Sequence, residues 1–245
     1  MNTAPLAQRL RPKTLDDVVG QTHLLGEGRP LRNIIQSGEI PNMIFYGPSG
    51  VGKSTLAAII AKQTNRTLRK LNGTTASTAD IKEIVNQLDT FGGMNGILLY
   101  LDEIQYFNKK QQQTLLEFIE NGSITLIAST TENPYFYVYN AILSRCTVFE
   151  FKPVVKEEVA KAVWRAFDVL TEELGQTIDV DDETVLYVAT ACGGDVRKAI
   201  NAVELSVLAS PVKNGVRYIT LETVRQLAQK SAMRYDKSGD EHYDI

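Results

Sequence analysis

Cysteine and histidine are scarce, with two of each in 245 residues. Cys146 and Cys192 form no Cys-x-x-Cys pair, and His23 and His242 lie near opposite ends. Zinc sites of ordinary ligand spacing are therefore excluded, and both thiols read as packing residues. Long apolar runs are missing as well, since none reaches the roughly 18 residues of a membrane span. The polar segment from Met1 to Leu10 also lacks the apolar stretch of a signal peptide, so the expected location is the cytoplasm. An excess of one charge is the third absence. The formal net charge is −3, and 15 of the 26 Lys/Arg against 13 of the 29 Asp/Glu lie before residue 156. Neither part is a strongly basic surface, and composition lends no support of its own to nucleic-acid binding.

What is present is enough apolar material for a core: 43% of the chain is hydrophobic, at a length that suits one large domain or a large and a small one. The first half alternates short apolar runs with helical patterns, which predicts a mostly parallel α/β sheet. Its five strands are expected at Met43–Tyr46, Thr67–Leu71, Ile97–Leu101, Thr125–Ser129 and Val148–Phe151. Helix ends are signalled by Pro30 and Gly38, by Ser77-x-x-Asp80, and by Asn108 and Gly122. Past Pro153 the β-branched runs fade, and helices are expected over Lys156–Leu174, Asp182–Ala191, Asp195–Leu208 and Leu221–Lys230. Val159, Val163, Phe167 and Leu170 form one apolar face of the first. This predicts an α/β nucleotide-binding domain over 1–153, a small all-α lid over 154–232, and a polar tail over 233–245.

Gly47, Pro48, Ser49, Gly50, Val51, Gly52, Lys53 and Ser54 fit the pattern GxxxxGK[ST], between the strand Met43–Tyr46 and a helical run that opens with Lys53, Ser54 and Thr55. Glycines at these places let backbone N–H groups turn inward on phosphates at a helix N-terminus, Lys53 reaches the terminal phosphates, and the Ser54 hydroxyl suits Mg²⁺. The expected ligands are ATP and Mg²⁺. The apolar strand ending in Asp102-Glu103 puts two carboxylates at the carboxyl end of a parallel strand, where open α/β sheets bind ligands. Asp102 then serves the metal and Glu103 the attacking water as general base; the bland alternative is a solvated acidic turn. Thr131, at the end of a further buried strand, is suited to positioning water or sensing the γ-phosphate, or to a local turn. Arg145 and Arg197 are candidates for phosphate contact because the guanidinium fork grips two oxygens, the alternative being surface ion pairs.

Taken together, Arg11-Pro-Lys-Thr-Leu-Asp-Asp-Val-Val-Gly20, the phosphate loop, Asp102-Glu103, Ser144-Arg-Cys146 and Gly194-Asp-Val-Arg197 resemble the clamp-loader clade of AAA+ ATPases. Asp102-Glu-Ile-Gln-Tyr-Phe-Asn-Lys-Lys-Gln-Gln-Gln113 and, most discriminating, Thr130-Thr-Glu-Asn-Pro134 are similar to the replication-associated recombination protein A family, with eukaryotic relatives among the Werner-helicase-interacting ATPases. The resemblance spans essentially the whole chain. It implies a DNA-dependent ATPase acting on ends or single-stranded gaps at stalled forks, nucleoid-associated, alongside single-stranded-DNA-binding protein, and tetrameric through a C-terminal domain. Because the family continues past Ile245, the chain is expected to be truncated and a weak ATPase by itself. By resemblance Thr131 is sensor 1, Arg197 sensor 2, Arg145 an arginine finger acting on a neighbour, and Arg11, Pro12, Val19 and Gly20 line an adenine pocket. One departure is Gln105-Tyr106, where family members often carry His-Arg. Alternative roles are a clamp-loader motor subunit and a nucleotide-gated binding subunit that does not hydrolyse.

Overall fold

A computed structural model describes residues 4–86 and 96–227. Five parallel strands, β1 (Met43–Tyr46), β2 (Thr67–Asn72), β3 (Ile97–Asp102), β4 (Ile124–Thr130) and β5 (Thr147–Glu150), form one sheet in the order β2-β3-β4-β1-β5. Each lies within a residue or two of its expected span. The three inner strands are continuous apolar runs because both of their faces are covered, as parallel sheets require. The edges β2 and β5 are only half-buried.

Side chains alternate across each strand and so feed two cores. Met43 and Phe45 of β1 join Leu98, Tyr100 and Ile127 beneath α4 (Lys53–Gln63), with α3 (Pro30–Ser37) adding Leu31 and Ile35. Ile44, Leu99, Leu101, Leu126 and Ala128 face the other way, onto α5 (Thr78–Asn86) and α6 (Lys109–Glu120), while α1 (Leu6–Arg9), α2 (Thr22–Leu25), α7 (Pro134–Tyr137) and α8 (Asn140–Leu143) are single turns. The helix signals operate as read. Ser77 and Asp80 bond each other's backbone N–H at the start of α5. Asn108 and Gln111 form a reciprocal capping box on α6. Gly38 closes α3 in the left-handed region at φ 78°.

The described chain divides into residues 12–152 and residues 4–11 with 153–227. The first few residues, which the sequence reading groups with the α/β domain, thus belong to the helical unit. Leu6 is fully buried, worth about 1.5–3 kcal/mol. Its N–H donates to the Glu204 carboxylate at 3.1 Å, and Arg9 ion-pairs with Glu173 and Glu204. These partners lie on α9 (Lys156–Leu174) and α11 (Val196–Ala209), which pack with α10 (Asp182–Ala191).

The helical unit is not purely α. It carries a three-stranded sheet, β6 (Thr177–Val180), β8 (Val216–Ile219) and β7 (Val212–Lys213), the last two paired antiparallel around Asn214-Gly215. Both turn residues have positive φ, 52° and 77°, the signature of a tight hairpin that Asn-Gly favours. Strands this short carry too little alternation to stand out from helical flanks. Residues 221–227 are helical; the rest of the segment expected to run to Lys230, and the tail, lie outside the described residues.

Candidate nucleotide site

The order β3-β4-β1 puts a single strand between the two that carry the phosphate-loop and acidic motifs, and all three end on one side of the sheet. The loop leaves β1 at Gly47, whose φ is 140°, and a Cβ there would lie 2.1 Å from the Phe151 carbonyl oxygen. Glycine is thus demanded by both conformation and space. The Gly47 N–H donates to the Thr130 carbonyl at 3.1 Å, tying the loop to the end of β4.

Lys53, 7% exposed, donates from Nζ to the carbonyls of Gly47 at 2.5 Å and Pro48 at 2.7 Å. Its ammonium is thereby held inside the loop that Ser49, Gly50, Val51 and Gly52 complete. Val51 is buried, and Gly50 and Gly52 have positive φ. Ser54 and Thr55 are half-buried in the first turn of α4.

Asp102 ends β3. Its Oδ1 accepts from the Ser129 hydroxyl at 2.5 Å and the Tyr100 hydroxyl at 3.2 Å, while Tyr100 also donates toward Ser129 at 2.8 Å. Burial, reinforced by the Asp102 carboxylate, pushes the Tyr100 phenol well above its ordinary value, so it stays a neutral donor. Both described donors fall on one oxygen of Asp102. A carboxylate so anchored beside the Ser54 hydroxyl's helix is the hard-oxygen donor set that Mg²⁺ takes together with phosphates and water. No group of three or more His, Cys, Asp or Glu gathers among the described residues.

Glu103 follows in the left-handed region at φ 56° and ψ 55°. Its Oε2 accepts from the Thr131 hydroxyl at 3.3 Å and backbone N–H at 3.4 Å, and from Gln105 Nε2 at 2.5 Å. Gly73, just after β2, lies against this turn: its N–H donates to the Asp102 carbonyl at 2.7 Å, and a Cβ would come within 2.1 Å of the Glu103 carbonyl oxygen.

The remaining candidates are spread out. Arg145 is ion-paired with Glu120 at 2.5 Å and donates to the Ala141 carbonyl and Ser144 hydroxyl; its described partners include no loop residue. Burial raises the neighbouring Cys146 thiol to about 12, making it inert. Pro12, Val19 and Gly20 fall in the α/β unit, half-buried, and the adjacent Val18 side chain reaches to 4.0 Å from where a Cβ of Gly52 would be. Arg11 belongs to the helical unit, as does Arg197, the second residue of α11, whose N-cap Asp195 accepts from the Lys198 N–H.

Several contributors escaped the sequence reading. Gln21, buried at φ 54°, bonds Val51 and both donates to and accepts from the Lys152 backbone, lacing the 18–20 segment to the phosphate loop and the end of β5. Tyr100 was legible in principle, since two residues before Asp102 on a strand is the same face. Ser129 lies in the hydroxyl-bearing end of β4, while Gly73 and Glu120 come from other elements and had no local signal.

The family model for the ATPase family associated with various cellular activities (AAA) matches residues 43–154, and that for the AAA C-terminal domain matches residues 174–245. Replication-associated recombination protein A of Bacillus subtilis is 40% identical over 98% of the chain and 57% of its own length. The Escherichia coli protein of that name is 36% identical over 98% of the chain and 55% of its length. The chain belongs to the AAA ATPases, in the group of replication-associated recombination protein A. ATPase WRNIP1 of Dictyostelium discoideum is 33% identical over 99% of the chain and 30% of its length. The chain thus spans little more than half of the bacterial relatives. Among solved structures, the RuvB Holliday junction branch migration motor of Thermotoga maritima superimposes with a TM-score of 0.72 over 90% of this chain and 72% of that one. At 24% identity it supports the AAA+ fold alone. Membership of the family implies nucleotide binding. No helix among the described residues is long and apolar enough to cross a membrane.

Proposed function

We propose that the chain binds ATP with Mg²⁺ in the loop from Gly47 to Ser54 and hydrolyses it. The carrying observation is the convergence of Lys53, Asp102, Glu103 and Thr131 on three neighbouring strand ends, with Thr131 already bonded to Glu103. Lys53 neutralises the terminal phosphates, and Ser54 and Asp102 hold the metal, which when bound draws charge from the phosphate oxygens. Glu103 orients and deprotonates the attacking water, and Thr131 fixes Glu103 against the γ-phosphate side. Pro12, Val19 and Gly20 line the adenine pocket. Arg145 leaves Glu120 to complete the site of a neighbouring subunit.

This turnover is coupled to DNA ends or single-stranded gaps at stalled forks. It acts in the cytoplasm at the nucleoid, as a tetramer working beside single-stranded-DNA-binding protein. The similarity to replication-associated recombination proteins supports this part of the reading.

The decisive assay compares ATP turnover of the complete protein and its Glu103→Gln and Arg145→Ala variants on single-stranded, blunt and gapped DNA, with oligomer mass measured alongside. Both variants are expected to bind ATP normally, with Arg145→Ala losing about 10³-fold or more in rate. Unchanged turnover in both would overturn the assignment of hydrolysis to these residues, and no turnover by the parent protein would identify a nucleotide-gated binding protein instead.

A further inference from the structure

We propose that Gln105 is a positioning residue for Glu103, an inference that rests on the reading of Glu103 as general base. The left-handed backbone of Glu103 turns the chain into a short 3₁₀ helix, Ile104–Tyr106. Ile104, fully buried in the second core, pins that turn. The Gln105 amide is thereby brought back over the preceding carboxylate.

Gln105 Nε2 donates to Glu103 Oε2 at 2.5 Å, on the same oxygen that takes both Thr131 bonds. One donor comes from the turn after β3 and two from the loop after β4, so the carboxylate is clamped between two strand ends. The described donors all fall on Oε2, and the reacting water is assigned to the other oxygen. A glutamate side chain free to rotate would spend little time in any one such pose.

The amide itself shows which bond the site favours. Gln105 Oε1 is buried and has no hydrogen-bond partner among the described residues. Turning the amide over would aim that oxygen at the Glu103 carboxylate, so the side chain keeps an unmatched acceptor in order to keep its donor on Glu103. Buried unpaired acceptors are rare and persist where another requirement overrides them.

The test is steady-state ATP hydrolysis by the complete natural protein with DNA, read as kcat and KM separately, with nucleotide affinity and melting temperature alongside. Gln105→Met keeps length but loses the donor; kcat is expected to fall about tenfold, as for one lost hydrogen bond to a charged group, with KM and nucleotide affinity unchanged. Gln105→His, which restores an N–H donor, is expected to recover most of the rate. Gln105→Glu, which sets like charges together, is expected to fall further, and carries the test should Gln105→Met fail to fold. An unchanged kcat in Gln105→Met, a parallel loss of nucleotide affinity, or no recovery in Gln105→His would overturn the proposal. Glu103→Gln separates the two layers. If it retains turnover, the general-base reading falls and this inference with it; if it is inactive while Gln105→Met is normal, only the positioning role is wrong.

Discussion

A methyl group at Gly73 tests how tightly the Glu103 turn is held. The Cβ of Gly73→Ala would lie 2.1 Å from the Glu103 carbonyl oxygen and 3.2 Å from that of Asp102, where ordinary contact begins at 3.4 Å. The two backbones must separate by about 1.3 Å, the difference between those distances. Gly73 donates to the Asp102 carbonyl, so the end of β2 and the acidic turn cannot part without straining that bond. Overpacking of this kind costs about 1–3 kcal/mol of stability. A 1 Å misplacement of a catalytic group costs about 10²-fold in rate. Gly73→Ala is therefore expected to keep its fold and its affinity for a fluorescent ATP analogue while losing about 10²-fold in kcat. A variant that hydrolyses ATP within twofold of the parent would refute the reasoning, because it would mean that β2 yields and Glu103 does not move.

Ser129→Ala removes the stronger described donor to Asp102 and should cost about 1–3 kcal/mol of stability. The Mg²⁺ concentration for half-maximal turnover should rise, while metal-free nucleotide binding stays as it was; an unaltered Mg²⁺ titration would sink the link between Ser129 and the metal. The Tyr100 phenol is raised above its unfolded value near 10, so its contribution to stability is complete below pH 10 and declines as the pH climbs beyond it. Denaturant unfolding of Tyr100→Phe should accordingly show a flatter alkaline limb than the parent, and identical limbs would contradict the buried-donor assignment. Asn108→Ala breaks the capping box of α6 and should lower stability by about 1 kcal/mol, or about 2–4 °C in melting temperature. Mixing Lys53→Ala with Arg145→Ala subunits should restore part of the turnover that each lacks alone, as a finger acting across subunits requires; no recovery in mixed oligomers would place Arg145 outside the site.

Local chemistry made much of this protein readable. A buried strand, a glycine-bearing loop and a helix start must be consecutive to cradle phosphates, so Gly47 to Ser54 carries its own context in eight residues. Caps work over three residues, and for that reason Ser77-Asp80 and Asn108-Gln111 were visible before any fold was known. The small sheet of the helical unit was missed although Asn214-Gly215 is a hairpin signal, because strands of two and four residues lack a pattern of their own. The grouping of residues 4–11 with α9 and α11 was likewise invisible, since Glu173 and Glu204 are more than 160 residues away along the chain.

The chemical inventory of the site, a lysine, two carboxylates and a threonine, was therefore legible from spacing. Its geometry was not. Which oxygen of Asp102 is bonded, that Gln105 and Thr131 meet on one oxygen of Glu103, and that Arg145 rests on Glu120 all depend on the sheet order β2-β3-β4-β1-β5 and on packing between elements remote in sequence. Hydrogen bonds are decided within tenths of an ångström, and only the packed sheet brings those ends that close.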